Sequence, residues 1–600
     1  VGSGPAGCFT AQALRRTFPG AAIDVFDELP TPSGLVRYGV AADHQGTKAV
    51  GRQFDRLFAE EGVRFRGNCR LGVDFALEEL ERGYDVVVLA SGVHRDARLG
   101  IPGADLAGVR GAGAVTRFLN AHPDEATPAP LGERVAIVGH GNVAMDLARL
   151  IARGALAAAA QDGAGAGGAG AGTGGGLDGS DIDDSAHRAL TGAVRTVHLL
   201  GRSAPAQAKF DPVMVRELAS LPGVRHVLHG AGELPDDGRD ARIDAVRALA
   251  EGGDADGPVT VEWWFGVSPS RFEGEAAVAG VVLDSAAGEV RIPADDVITA
   301  VGFTADAGSP VEPAAHPDGR VRAGLYTAGW LRRGPRGTIP DQRADARELA
   351  RLIAADVHAG AVGTRVTGSA ASGEGGSGAA VTGLPPIDGE TGFEGWRRID
   401  LRERLTAAPG RSRAKLRGRE ALLAAARDET LELPPLAETA ALIGAGVPTT
   451  ILFGTESGGA ELVAEELARA CGDGADVEVR DLAQTSAAGL DPARLHLVVC
   501  ATYGDGEVPS AAEPFHRELR DERPELTGVR YAVFGMGDRS YERTYSRGSE
   551  LIDEALQACG AVRVGEYGRH DAGGSIPVSE AAREWAAGVY AELAAVPVRG

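Results

Sequence analysis

Six hundred residues allow about three or four domains of roughly 150 residues each, and an apolar share of 44% permits cores of ordinary size. A net charge of −23 argues against a nucleic-acid partner, and no apolar run reaches the roughly 18 residues that read as a membrane-spanning segment. Cys8, Cys69, Cys471, Cys500 and Cys559 include no CxxC pair. No iron–sulfur cluster, zinc site or other metal site is therefore expected, and no disulfide framework, which suits a reducing cytoplasm.

The chain opens on Gly2-Ser3-Gly4-Pro5-Ala6-Gly7, a GxGxxG spacing that leads into a helix-like segment, 6–17. Glycines there allow a tight turn and close approach of a pyrophosphate to N–H groups at a helix start. A strand-like run, 22–26, then ends at Asp27, where a ribose-binding acid belongs. The buried strand expected ahead of such a loop is absent and the first residue is Val1, so the N-terminus reads as truncated. His44 taken alone is as well explained by a structural hydrogen bond as by chemistry.

A second loop, Gly139-His140-Gly141-Asn142-Val143-Ala144, follows the apolar run Arg134–Val138 and opens another helix. Strand, loop and helix stand in the order that a dinucleotide grip requires. The Ala/Gly tract within 155–180 cannot bury a core and reads as a flexible loop. After the run 196–200 come Arg202 and Ser203, where a 2′-phosphate would be held. No acid stands there to prefer a bare ribose, so NADPH is favoured, with NADH as the alternative.

The region 397–427 is strongly basic, whereas 26 acidic against 14 basic residues lie from Val447 to the end. Two readings stay open: solvated surfaces, or electrostatic docking between these parts or with a redox partner. The third loop, Gly454-Thr455-Glu456-Ser457-Gly458-Gly459-Ala460, follows the strand-like run 449–453 and precedes an amphipathic helix. It carries hydroxyls and glycines but no cation, and it lacks the G-K-[ST] ending of a P-loop. It fits a phosphate held by N–H and O–H donors alone. Short apolar runs alternating with amphipathic segments point to parallel sheets covered on both faces.

Two longer segments are more specific. Residues 35–44, Leu-Val-Arg-Tyr-Gly-Val-Ala-Ala-Asp-His, and 329–339, Gly-Trp-Leu-Arg-Arg-Gly-Pro-Arg-Gly-Thr-Ile, resemble segments of adrenodoxin-reductase-type ferredoxin–NADP reductases, with Ala42 where that family has Pro. The second loop resembles the same family's nicotinamide-dinucleotide loop. The resemblance runs to about residue 427. It implies FAD contacts at Gly2, Gly4, Ala6, Gly7, Asp27, Leu35, Leu71, Trp330, Gly337, Thr338 and Ile339. It implies dinucleotide contacts at His140, Gly141, Asn142, Val143, Arg202 and Ser203. It also pairs His44 with Glu217 as an assisting couple near the flavin. The family's usual second arginine is here Ser203, and its further acid is here Met214.

The third loop, Ala501-Thr502-Tyr503-Gly504-Asp505-Gly506, and Gly535-Met536-Gly537-Asp538-Arg539-Ser540-Tyr541-Glu542 resemble the flavin loops of flavodoxins and of the FMN domain of diflavin reductases. That implies FMN held by Thr455, Glu456, Ser457, Gly458, Gly459, Ala460, Thr502, Tyr503, Gly504, Asp538 and Tyr541, with the two tyrosines sandwiching the ring.

The fold expected is α/β throughout: two Rossmann-like dinucleotide-binding domains arranged as in glutathione reductase, then a flavodoxin-like doubly wound domain. The divisions are 1–105 and 302–366 for FAD, 106–301 for NADP, 367–447 for a linker and basic extension, and 448–600 for FMN. The function implied is an NADPH-dependent diflavin reductase that passes electrons to a ferredoxin, a flavodoxin or a haem monooxygenase. Two alternatives remain. One is a reductase for a separate ferredoxin with an accessory flavodoxin domain. The other is a hydride-donating subunit or a non-catalytic flavin-binding module.

Overall fold

The structure, a computed structural model, describes residues 1–163, 177–235, 240–305, 308–362, 383–434, 446–456, 458–472, 474–503, 506–537, 544–572 and 578–595. Two compact units emerge, one of Val1–His44 and Leu57–Leu433, the other of Gln45–Arg56 and Pro434–Gly600.

In the first unit, helix α1 (Pro5–Thr17) starts directly behind the first glycine loop. Pro5 suits the first turn because the N–H that it lacks would have no helical acceptor. Arg15 and Arg16 in the last turn oppose the helix's negative end. Strand β1 (Ile23–Phe26) pairs in parallel with β2 (Val63–Arg66). Gly2 N–H donates to the Phe26 carbonyl at 2.7 Å, and the Val1 ammonium donates to the Val88 carbonyl at 2.7 Å. The first loop thus hangs between β1 and β3 (Val87–Leu89).

Strands β4 (Val109–Gly111), β5 (Arg134–Val138), β6 (Thr196–Gly201), β7 (Val224–His229), β8 (Val259–Phe265) and β9 (Asp296–Thr299) form a parallel sheet in the order β4-β9-β5-β6-β8-β7. Helices α2 (Asn142–Gly163) and α3 (Pro212–Ala219) cover one face. Alternation along β5 divides its side chains. Val135 and Ile137 join Met145 and Ile151 beneath the helices, and Ala136 and Val138 join Val281 and Leu283 on the other side. That other face is covered by a three-stranded antiparallel sheet, Val267–Gly274, Val278–Ser285 and Gly288–Pro293. The parallel sheet is thus covered on both faces as expected, one cover being an antiparallel sheet rather than helices.

Strand Leu325–Thr327 joins β3 in parallel. Helix α4 (Ile339–His358) packs Leu349 and Ile353 against Tyr326, Ala6 and Leu14. Helices α5 (Phe393–Leu405) and α6 (Arg419–Ala426) complete the unit. Several charged residues of this extension, 393–426, pair with earlier parts of the unit. Arg37 donates to the fully buried Glu403 at 2.6 Å, Arg411 meets Asp184 at 2.7 Å, Lys415 meets Asp181 at 2.9 Å and Arg419 meets Asp124 at 2.5 Å. Neither open reading of this segment, a solvated surface or a docking patch, describes these cations. They fasten the extension to residues some 230 to 370 positions earlier.

In the second unit, β10 (Thr449–Gly454), β11 (Val477–Asp481), β12 (Leu495–Ala501), β13 (Arg530–Gly537) and β14 (Val562–Arg563) form a parallel sheet in the order β11-β10-β12-β13-β14. Helices α7 (Gly459–Ala470) and α9 (Val578–Ala595) cover one face, with α8 (Arg547–Ala558) on the other. The order is that of a flavodoxin-like doubly wound sheet, whose switch point lies between β10 and β12.

Candidate functional site

At the first loop the backbone is crowded on one side and open on the other. A Cβ on Gly2 would meet the Ala90 carbonyl at 2.3 Å, and one on Gly7 the Gly2 carbonyl at 1.8 Å. A Cβ on Gly4 would meet nothing nearer than Gly34 Cα at 4.0 Å. No side chain caps α1, so its leading N–H groups suit an outside anion. Two remote segments close on this loop. Gly34, just before Leu35, approaches Gly4, and a Cβ on Gly329 would strike Ala6 Cβ at 2.4 Å. The structure therefore gathers Gly4, Ala6, Leu35 and Trp330. Trp330 stacks on Phe303 with ring centroids 5.8 Å apart and donates to the Gly337 carbonyl at 3.4 Å. Thr338 caps α4 with Asp341, and Ile339 is its first residue.

Asp27 ends β1, buried. Its carboxylate accepts from Ser3 N–H at 2.8 Å, Ser3 Oγ at 2.5 Å and Leu29 N–H at 2.9 Å. Burial raises its pKa above the usual carboxylate value although those donors oppose the shift. Leu71 packs at the edge of the cluster that includes Phe26 and Cys69.

At the second loop Gly139 has φ +133° and abuts the Ala300 carbonyl, whereas Gly141 faces open space at the start of α2. Asn142 Oδ1 accepts from Asp211 N–H at 2.9 Å, which ties the connection after β6 to this loop. Val143 is half buried. His140 is turned inward. Its ring is buried, contacts Phe265 edge-on at 4.9 Å and pairs through Nε2 with the Leu199 carbonyl at 3.1 Å. Burial pushes its pKa down to about 4, so the ring is neutral. Arg202 is exposed and Ser203 half exposed, and among the described residues the Arg202 guanidinium makes no ion pair. Met214 is buried in the core under α3.

His44 lies between two acids. Its Nδ1 is 3.6 Å from Asp146 Oδ1 and its Nε2 is 4.0 Å from Glu217 Oε2. Asp43, Asp146 and Arg149 belong to the same cluster and went unread in the sequence. The signal was faint, an Asp and an Arg three apart on α2, and it acquires meaning only when the Asp43 and α3 segments fold against it.

At the third loop Thr455 is buried, and its Oγ1 accepts from Gly458 N–H at 2.9 Å and Ala460 N–H at 3.4 Å. Glu456 accepts from Ser510 N–H and Oγ, each at 2.8 Å. Gly458 adopts φ +95°, a left-handed conformation that favours glycine. Gly459 is the first residue of α7. Thr502 accepts from Gly548 N–H at 3.2 Å, and Tyr503 is 48% exposed at the carboxyl end of β12. Ser457, Gly504, Asp538 and Tyr541 lie outside the described residues.

Comparison with known proteins bears on these sites. Residues 1–160 match the pyridine nucleotide-disulphide oxidoreductase family, and residues 451–585 match the flavodoxin family. Cindoxin reductase of Citrobacter braakii is 39% identical over 446 residues, covering 72% of this chain and 91% of that protein. The chain belongs to the adrenodoxin-reductase-type ferredoxin–NADP reductases. It also carries a flavodoxin domain. The mitochondrial NADPH:adrenodoxin oxidoreductase of Arabidopsis thaliana is 31% identical over 487 residues, covering 71% of this chain and 94% of the relative. Among solved structures, Mycobacterium tuberculosis FprA in complex with NADPH is 27% identical, with a TM-score of 0.59, covering 71% of this chain and 98% of that one.

The reductase is thus an NAD(P)H-dependent flavoprotein, with FAD the cofactor of its first family and FMN that of the second. The chemistry of the donors fits these groups: the glycine loops that open α1 and α7 present backbone N–H groups where a phosphate can approach, and Tyr503 is an exposed aromatic ring. Among the described residues, no helix of the reductase is long and apolar enough to cross a membrane, and no group of three or more His, Cys, Asp or Glu forms a metal site.

Proposed function

We propose that this reductase draws electrons from NADPH through FAD in its first unit and FMN in its flavodoxin domain, and delivers them to a protein acceptor. The observation that carries the reading is one polypeptide with a reductase bearing two glycine grips and a flavodoxin domain whose hydroxyl- and glycine-rich loop opens α7 beside an exposed Tyr503. Relatives named for reducing cindoxin and adrenodoxin support a protein acceptor, and the FprA complex supports NADPH. Within that class stand a ferredoxin, a separate flavodoxin or a haem monooxygenase. Residues 1–105 and 302–366 would serve FAD, 106–301 NADP, 367–447 the join and 448–600 FMN. Five buried, unbridged thiols fit a reducing compartment such as the cytoplasm.

When bound, the nicotinamide and flavins supply the hydride and one-electron chemistry. The chain's task is alignment. Gly4, Gly34 and Gly329 let backbone close around one dinucleotide, and Gly141 leaves room for another. Arg202 and the Ser203 hydroxyl would hold the 2′-phosphate, and Lys209, also exposed, stands on the same connection. His44 and Glu217 would orient the reacting end and hold a proton at the imidazole. Covalent linkage keeps the effective concentration of the flavodoxin domain high.

Flavin extraction should give one FAD and one FMN per chain. Tyr503→Ala should lose FMN and slow reduction of the protein acceptor while NADPH still reduces the remaining flavin. Undiminished delivery to that acceptor by FMN-free chain would overturn the relay.

A further inference from the structure

Arg149 on α2 is 1% exposed, and its guanidinium is spent on three carboxylates from three segments. Nε and Nη2 donate to the two oxygens of Asp43 at 3.0 and 2.9 Å. Nη2 also donates to Asp146 Oδ1 at 2.8 Å, and Nη1 donates to Glu217 Oε2 at 2.9 Å. Those last two oxygens are the ones that face His44: Asp146 Oδ1 lies 3.6 Å from Nδ1, and Glu217 Oε2 lies 4.0 Å from Nε2. One planar cation therefore fixes both acceptors that the imidazole can see, one from α2 itself and one from α3. Its third partner, Asp43, is the residue immediately before His44 and sets where that backbone lies.

We propose that Arg149 is the positioning residue of the His44–Glu217 site: it holds Asp146 and Glu217 in place, with one oxygen of each aimed at a ring nitrogen of His44. This rests on the reading that His44 and Glu217 serve the nicotinamide–flavin site. The guanidinium suits the task because its fork reaches several oxygens at fixed angles, which an ammonium cannot do. The other charged groups nearby are Arg153, which attracts Asp43 from one turn further along α2, and His187, which is packed on α2 through the Leu150 carbonyl. The balance of charge supports the assignment. Burial alone would raise Asp43, but Arg149 beside it brings it down to about 2. Burial leaves Asp146 above the usual carboxylate value despite His44 and Arg149. Without the guanidinium, three carboxylates would share a mostly buried site, and the site would take up protons at higher pH.

The test uses the full flavin-loaded chain with Arg149→Met, Arg149→Lys and His44→Gln. Rapid flavin reduction by NADPH is followed from about pH 5.5 to 9. Histidine-selective NMR titration of the flavin-free chain follows the His44 resonance, assigned by its loss in His44→Gln. Arg149→Met should lower the reduction rate at least tenfold and move the midpoints of both the rate profile and the His44 titration up by a pH unit or more. Arg149→Lys should keep both midpoints near wild type while recovering only part of the rate. Loss of rate by one factor at every pH, with an unmoved His44 titration, would overturn the proposal. If His44→Gln leaves reduction unchanged, the reading of His44 fails. If it does not, and Arg149→Met is silent, the Arg149 assignment alone fails. Should Arg149→Met not fold, the double variant Arg149→Met/Asp43→Asn removes the buried acid with its cation and keeps the net charge: it must still lower the reduction rate at least tenfold, with both midpoints near wild type, and an undiminished rate would overturn the proposal.

Discussion

The two units hold themselves together by different means. The first buries charge. Arg37 against Glu403, Lys415 against Asp181 and Arg149 against three acids join segments far apart in the chain. The second buries two apolar layers on either side of one continuous sheet, with Ile451 and Phe453 in one and Leu452 in the other. A doubly wound sheet whose strands all come from one stretch of chain needs only alternating strands to find its register. A unit threaded from scattered pieces needs contacts that fit one partner and no other, and ionic pairs between fixed geometries supply them.

Breaking one buried pair should separate the units most clearly. Arg37→Met leaves Glu403 buried without its cation and should cost about 3–5 kcal/mol. In a denaturant titration followed by a probe in each unit, only the first unit's transition should move, and Arg37→Met/Glu403→Leu should restore most of it. The counterpart in the second unit is Leu497→Ala, fully buried on β12, with an expected cost of about 2–5 kcal/mol confined to the second transition.

Acid should discriminate next. Asp43 is depressed to about 2 from an ordinary 3.8. A depressed acid adds stability that is complete above its unfolded value and disappears as pH falls through the folded one. Asp43→Asn should therefore cost the first unit roughly 2 kcal/mol at pH 7 and nothing measurable near pH 2. An equal cost at both pH values would break the assignment. Arg202→Ala, which touches no packing, should leave both transitions in place. It should lower the preference for NADPH over NADH by about 10- to 100-fold in kcat/KM, as expected for one charge-assisted contact of about 1.5–3 kcal/mol.

Much of this arrangement was legible in the sequence, for reasons that differ by residue. Strand runs such as Arg134–Val138 and the glycine loops declare themselves through local pattern, because backbone geometry there depends on immediate neighbours. The basic stretch 397–427 misled because charge pattern says nothing about partners such as Asp184 or Asp124, which lie far upstream. His140 is read from the sequence as part of a ligand grip, a role its backbone can keep, and the folded sheet adds that its ring is turned toward Phe265. Arg149 was invisible for the same reason: its three acids converge through tertiary packing.

The close fit of Gly329 over Ala6 carries a consequence for synthesis. Of the three glycine loops the first is made first, yet its outer wall is formed by residues that emerge more than 320 positions later. The parallel sheet between β4 and β9 is complete before that wall exists. We expect the middle of the reductase to fold while its amino-terminal loop is still waiting for Gly329, so that chains stalled before this point would carry a formed second grip and an unfinished first one.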